Sequence, residues 1–345
     1  MKDLKYLLAY SIPITGFLSV YFGGIWSVFT VFFAFVLIPI IELYAVGNTD
    51  NHDETVESSR LSNRFFDLLL YINVPILFSL VYFLLATITT RHLQIFEIIG
   101  MTISVGMVLG SNGINVAHEL GHRNNTFDKF MAQLLLLPNL YMHFTNEHNF
   151  GHHKNIATDA DPASSRLNEN IYSFWIRSVV GTYKGAWEIE AQMLNKDKKA
   201  FFSIHNYMII NTLIQISYLI SCFYFFGILG LVVAILSAIV GFLMLETVNY
   251  IEHYGLRRKQ LENGRYEQVM PHHSWNSDHE LGRIILYELT RHSDHHYQAA
   301  RKYQVLRHHD NTPQLPFGYP GSMLLALVPP LWFRKMNPIV AGLAV

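Results

Sequence analysis

His118-Glu119-Leu120-Gly121-His122 opens a series of histidine clusters. The series continues with His148-Asn149-Phe150-Gly151-His152-His153 and adds His253, inside Asn249-Tyr250-Ile251-Glu252-His253-Tyr254-Gly255. It closes with His292-Ser293-Asp294-His295-His296. Nine of the chain's 18 histidines lie in these four places. A long apolar run, residues 94–117, leads straight into the first of them. A helix that continues past that run sets His118 and His122 on one face, about a turn apart. His148 and His152 repeat the spacing, and His292, His295 and His296 give spacings of three and four. A lone histidine at any of these positions reads as a structural or surface residue. Nine in this arrangement read as a site for more than one metal, and imidazole suits iron, zinc, copper and nickel. A zinc site uses three or four protein ligands, so nine imidazoles are enough for two metals at four or five each.

Working outward, Glu119, Glu147, Glu252 and Asp294 each adjoin a clustered histidine. Metal-bound imidazoles commonly donate their second N–H to a carboxylate, and Asp294 is the first choice for that part. Glu246, seven residues before His253, has two readings: it approaches the metals, or it hydrogen-bonds within the helical bundle. His143, His272, His273, His279, His308 and His309 are read as supporting or surface residues. His52 is read as a loop residue, and His92 and His205 as residues near membrane boundaries.

Composition sets the environment. Hydrophobic residues make up 51% of the 345 and charged residues 15%, against roughly 25% charge in a soluble globular protein. Mean hydropathy is +0.21. The net charge of -1 lacks the basic stripe that nucleic-acid binding needs. The single cysteine, Cys222, excludes an intramolecular disulfide and any cysteine-rich metal site.

Six apolar runs are long enough for the roughly 20 residues a helix needs to cross hydrocarbon: residues 6–24, 26–46, 65–88, 94–117, 207–226 and 229–249. The apolar pieces 130–140 and 323–332 are too short to span, and residues 171–193 read as an amphipathic helix. The predicted fold is therefore an all-α integral membrane protein. Spans one to four occupy residues 1–117 and spans five and six residues 207–249. The histidine-rich regions are 118–206 and 250–345. None of the six spans contains Lys or Arg. With both termini in the cytoplasm, the outer loops hold only Arg91, and the other 24 of 25 basic residues lie inside, as positive-inside bias requires. All the histidine clusters then face the cytoplasm.

One competing motif is present. His118-Glu119-Leu120-Gly121-His122 matches H-E-x-x-H, in which two histidines bind zinc and the glutamate is the general base of a protease. That reading needs one metal and leaves seven clustered histidines unused. A membrane metal carrier is a further class, but no polar row crosses the spans.

The clusters resemble those of the membrane-bound alkane 1-monooxygenases, a branch of the histidine-rich di-iron hydroxylases and desaturases. His118/His122 correspond to H-x(3,4)-H, and His148/His152/His153 and His292/His295/His296 to the two H-x(2,3)-H-H boxes. Asn249 to Gly255 and Leu315-Pro316-Phe317-Gly318-Tyr319-Pro320-Gly321 also look like segments of that branch. The resemblance implies two iron ions held by His118, His122, His148, His152, His153, His253, His292, His295 and His296, with O2 as co-substrate. It implies terminal hydroxylation of medium-chain n-alkanes drawn from the lipid bilayer, in the bacterial inner membrane. Electrons come from rubredoxin, itself reduced by an NAD(P)H-dependent rubredoxin reductase. No paired CxxC motif is present, so rubredoxin is expected as a separate protein. Arg123, Lys154, Arg257 and Arg258 are candidates for its docking surface by charge complementarity. Alternatives that keep the metals are a fatty-acid or xylene-type methyl hydroxylase and a desaturase.

Overall fold

The computed structural model describes residues 2–45 and 47–343. Met1, Val46 (the expected end of the second span), Ala344 and Val345 lie outside the described residues. Among the described residues the chain is helical, and its backbone pairings Gly47–His279, Gln260–Tyr266 and Asn276–Gln314 are isolated bridges, not strands.

Four helices are long and apolar enough to cross a membrane: Gly24–Tyr44, Arg64–Thr90, Ile95–Gly121 and Tyr207–His253. The predicted first span takes a different form. It is a 3₁₀ segment, Lys2–Tyr10, continued by an α-helix, Ser11–Phe22. The chain reverses at Gly23, whose φ of 61° is left-handed and suits glycine. Ser19 Oγ then accepts from the Thr30 amide across that turn at 3.3 Å.

Tyr207–His253 is 47 residues long but is not one straight rod. Gly227, at φ 64° and ψ −166°, interrupts it. Asn211 donates to the Met142 carbonyl at 3.3 Å, and Tyr141 donates to Glu246 at 2.8 Å. Both limbs therefore return to the same short loop, and the segment is a helical hairpin turning at Gly227.

Small residues set how closely the helices pack. A β-carbon at Gly110 would lie 2.8 Å from the Gly241 carbonyl oxygen, and one at Gly106 would lie 2.7 Å from that of Ser237. The hairpin's second limb thus sits directly on the helix that leads into His118, the close approach that small residues permit between membrane helices. Polar residues stitch the interior. Asn112 donates to Asn73 Oδ1 at 2.9 Å and to the Ala9 carbonyl at 3.2 Å, joining three helices. Outer faces carry large exposed apolar side chains such as Ile25, Ile95, Ile220, Tyr224 and Phe225. Surfaces of that kind suit hydrocarbon, and the chain is a multi-pass membrane protein.

The apolar piece around 130–140 forms the short helix Thr126–Leu136, and 171–193 lies within Ile171–Lys196. The C-terminal apolar stretch is divided between Tyr319–Ala326 and Pro329–Leu343, and its Trp332 is fully buried against Tyr250 and Tyr254.

Candidate metal centre

Each histidine cluster sits where a helix changes pitch or ends. Ile95–Val108 widens into a π-helical turn, Leu109–Ile114, before the α-turn Asn115–Gly121 carries His118 inward. His122 caps that turn. His148–His152 is itself a π-helical turn; such turns are frequent at functional sites. His253 ends the hairpin's second limb, and His292–Tyr297 is a short helix of its own.

These elements bring all nine histidines together as two groups. His118, His122, His148, His153 and His295 form one, and His152, His253, His292 and His296 the other; within each, the candidate ligand nitrogens lie within 4.8 Å of one another. The groups interleave. His148 and His153 serve the first while His152, between them in sequence, serves the second. His295 and His296 divide in the same way. Nε2 atoms face each other at 3.0 Å for His148 and His153, 3.2 Å for His153 and His295, and 2.7 Å for His292 and His296.

The donor set fits metal ions. The Nε2 atoms of His118 and His122 are buried and have no hydrogen-bond partner, a costly state for a polar atom that coordination relieves. Burial, followed by the neighbouring imidazoles, pushes His148, His153, His292, His295 and His296 well below the ordinary histidine value, and His122 down to about 3. These rings are neutral at pH 7, the form that binds metal.

A narrow apolar cavity ends on this centre. Ile12, Ala34, Phe35 and Met107 are among its lining, and His118, His148, Glu252 and His292 line it where it meets the histidine groups. Its space free of protein atoms, mouth and adjoining solvent included, is about 910 Å³.

Comparison with known proteins agrees with this geometry. Residues 96–322 match the fatty acid desaturase family. The chain is 39% identical to alkane 1-monooxygenase 1 of Alcanivorax borkumensis over 94% of its own length and 80% of that protein's. It is 38% identical to the alkane 1-monooxygenase of Pseudomonas putida, over 89% and 76%. It is 29% identical to the xylene/toluene monooxygenase hydroxylase component of Pseudomonas putida, over 96% and 87%. The chain belongs to the alkane 1-monooxygenase family.

In this alkane 1-monooxygenase family member the expected carboxylates divide. Glu252 Oε2 lies 3.2 Å from His292 Nε2, and its other oxygen accepts from Tyr319 at 2.7 Å. Glu246 accepts from Tyr141, Ser178 and Asn249; its hydrogen bonds are of the within-bundle kind. Glu119 accepts from Arg123 at 3.0 Å, which is not the arrangement of a protease's free base. Asp294 is completely buried, but its carboxylate pairs with Arg301 at 2.9 Å and His309 at 2.8 Å instead of with one of the nine histidines.

The sequence reading missed Asp161. Its Oδ2 lies 2.8 Å from His152 Nδ1 and accepts from Ser164 Oγ at 2.6 Å. Burial pushes this carboxyl up, but His152 and Ser164 prevail and hold it below the usual carboxylate range. The signal was an acidic residue in the loop that closes the second histidine box.

The four basic candidates also part company. Arg123 is 8% exposed and paired with Asp67 at 2.6 Å as well as with Glu119, so it presents no charge to a docking partner. Arg258 donates to the backbone carbonyls of Lys154, Ile156 and Glu267. Lys154 is exposed, and Arg257 is half-buried with Asp159 3.8 Å away. The remaining histidines stay outside both groups: His143 packs on Tyr141, His273 faces Glu267 and His308 faces Asp278.

Proposed function

We propose that this protein hydroxylates the terminal carbon of medium-chain n-alkanes, using O2 at a pair of iron ions held by the two histidine groups. The observation that carries the reading is the apolar cavity ending on His118, His148 and His292. A linear hydrocarbon enters from the bilayer and lies along Ile12, Ala34, Phe35 and Met107. Its methyl end then stops at the imidazoles. Burial of apolar surface holds it weakly, because the competing solvent is itself hydrocarbon, so cavity shape sets orientation and length. Two irons held by His118, His122, His148, His153 and His295 and by His152, His253, His292 and His296 would supply the oxygen activation and the C–H cleavage. The chain's part is to fix the ligands, exclude water and align the substrate.

Asp161 fixes the His152 ring by taking its Nδ1–H. Glu252, held by Tyr319, sits at the junction of cavity and metals and limits how far the substrate advances beside His292.

The membrane reading is six spans, with the termini and the metal centre on the cytoplasmic face of the bacterial inner membrane. A straight 47-residue helix would be about 70 Å long at 1.5 Å per residue, over twice the roughly 30 Å of hydrocarbon. The hairpin at Gly227 accordingly counts as two spans, and Lys2–Phe22 with its change of pitch supplies the sixth. Rubredoxin, reduced by its NAD(P)H-dependent reductase, docks from the cytoplasm, with Lys154 and Arg257 offering charge to it.

Metal analysis of detergent-purified protein, with oxygen-dependent conversion of dodecane by reduced rubredoxin on the same sample, tests this. About two irons per chain, as two ligand groups require, together with 1-dodecanol support it. Zinc at one per chain and no oxygen uptake overturn it. A second reading is favoured by the likeness to the xylene/toluene monooxygenase component: hydroxylation of an aryl methyl group. Iron without dodecanol, but with a methyl-hydroxylated xylene, selects it.

A further inference from the structure

Glu42 is a buried acid that the metal centre does not use. It is 4% exposed, it lies in the apolar helix Ile38–Tyr44, and neither carboxylate oxygen makes a well-formed hydrogen bond, although the Gly282 amide approaches the carboxyl. A group in that state costs free energy unless something polar reaches it. Its surroundings are cut to fit. A β-carbon at Gly282 would lie 2.6 Å from Glu42 Oε1, and one at Gly318 would overlap Oε2. Two glycines thus leave the space the carboxyl fills.

Glu42 stands where two chambers back onto each other. Gly282 and Tyr319 line the inner cavity that ends on the metals. Glu42 and Gly318 line a second, outer chamber with Pro39, Leu43, Leu324 and Val328. Leu43 is 69% exposed and Val328 46% exposed, so the outer chamber reaches the apolar surface of the protein. The shared wall is at the metal end: Tyr319, next to Gly318, donates to Glu252, which lies 3.2 Å from His292.

We propose that Glu42 and the outer chamber form a hydroxyl-binding exit subsite for the primary alcohol product. This rests on the hydroxylation reading above. The new hydroxyl arises at the inner end of an apolar cavity, where it lacks the hydrogen bonds it would have in water. Other polar side chains lining that cavity are already committed. Ser111 donates to the Met107 carbonyl at 2.9 Å, Asn115 to the Leu286 carbonyl at 2.9 Å, and Asn249 to Glu246 at 3.3 Å. Glu42 offers a carboxyl approached by the Gly282 amide but without a well-formed hydrogen bond, just across the wall from the place where the hydroxyl forms. An alkane makes no hydrogen bond there, so the subsite distinguishes product from substrate. The alcohol leaves sideways to the membrane and does not travel back along the path of incoming alkane.

Photolabelling of the full-length protein in nanodiscs tests this with two probes, a diazirine-bearing 1-dodecanol and the matching diazirine-bearing dodecane. The alcohol probe is expected to label outer-chamber positions such as Leu43, Leu324 and Val328 about tenfold more than the alkane probe does. That is the factor that one buried hydrogen bond of about 1.4 kcal/mol gives. Glu42→Leu should erase that preference, and Glu42→Gln, which keeps the shape and a hydrogen-bonding group, should keep most of it. Equal outer-chamber labelling by the two probes, or an unchanged preference in Glu42→Leu, overturns the subsite. Inner-cavity labelling by the alkane probe at Met107 and Met244 reports whether each variant is folded. If Glu42→Leu loses it, the probe pair on the unsubstituted protein and Glu42→Gln decide. Failure of the alkane probe to reach the inner cavity of the unsubstituted protein counts against the hydroxylation reading, and the alcohol preference at Glu42 is still read separately.

Discussion

His152 and Asp161 are paired at 2.8 Å, Nδ1 to Oδ2, with the histidine 1% exposed and the carboxylate likewise buried. Nine residues apart in sequence, they place a carboxylate behind one ligand of the four-histidine group. The carboxylate selects the tautomer that leaves Nε2 free on the side of His296, 3.3 Å away. Asp161→Asn keeps the size and loses the charge, and the amide presents either end to the ring. Metal affinity is expected to fall about 10–100-fold, the usual effect of losing such a partner. Titration of metal into chelator-stripped protein measures it; unchanged affinity would show that Ser164 and burial alone orient His152.

Neighbouring histidines are expected to govern different metals. His295 belongs to the five-member group and His296 to the four-member group. His295→Ala and His296→Ala should each lower occupancy chiefly at one of the two positions, leaving the other loaded. Metal content combined with Mössbauer spectra of iron-57 protein would distinguish the two variants by which signal is lost. Identical residual spectra from both would contradict the interleaved grouping.

That interleaving marks where the sequence stops being readable. The i, i+4 spacing of His148 and His152 places both on one face of an α-helix, yet the π-helical turn between them and the positions of the partner histidines send them to different groups. Membrane character and the nine-histidine assembly were legible, because long apolar runs and dense histidines have few other uses. Carboxylate roles were not, since adjacency in the chain says little about direction. Asp294 adjoins His295 but points to Arg301 and His309, whereas Asp161 reaches His152 from a loop. The first span's change of pitch at Tyr10–Ser11 falls inside one apolar run, residues 6–24, so the run by itself carried no sign of it.

Acid sensitivity is expected from a buried network beside the histidine-bearing helix His292–Tyr297. Glu288 accepts from Arg283 at 2.7 Å and from Tyr6 Oη, with Arg291 4.0 Å away. It ties the N-terminal segment to the turn before His292. Burial pushes this carboxyl up, but Arg283 and Arg291 outweigh burial and hold it below its ordinary value of 4.5. A lowered folded-state value means the stabilisation is fully present above pH 4.5 and is lost as pH falls through that lower value. Glu288→Gln leaves Arg283 and Arg291 buried without their partner. It should destabilise the protein at neutral pH by about 3–5 kcal/mol and flatten the acid limb of stability. Thermal unfolding in detergent across pH 3 to 7 checks both; an equally steep acid limb in the variant would assign it to other carboxylates.

Cavity length should be adjustable at Ala34 without touching a metal ligand. Ala34 lines the cavity beside Phe35 and is 8% exposed. It lies eight residues, about two helical turns, before Glu42 and so away from the metal end. Ala34→Phe fills the part of the cavity reached only by the far end of a longer chain. Overpacking costs about 1–3 kcal/mol when the site cannot relax, and a short alkane escapes that cost by leaving the blocked region empty. In a competition of hexane with dodecane, the ratio of 1-hexanol to 1-dodecanol should therefore rise by about tenfold or more, with metal content unchanged. A fall of both products by the same factor would mean that the substitution disturbs the bundle and not the cavity. An unchanged ratio would mean that the alkane takes another path to His118 and His292.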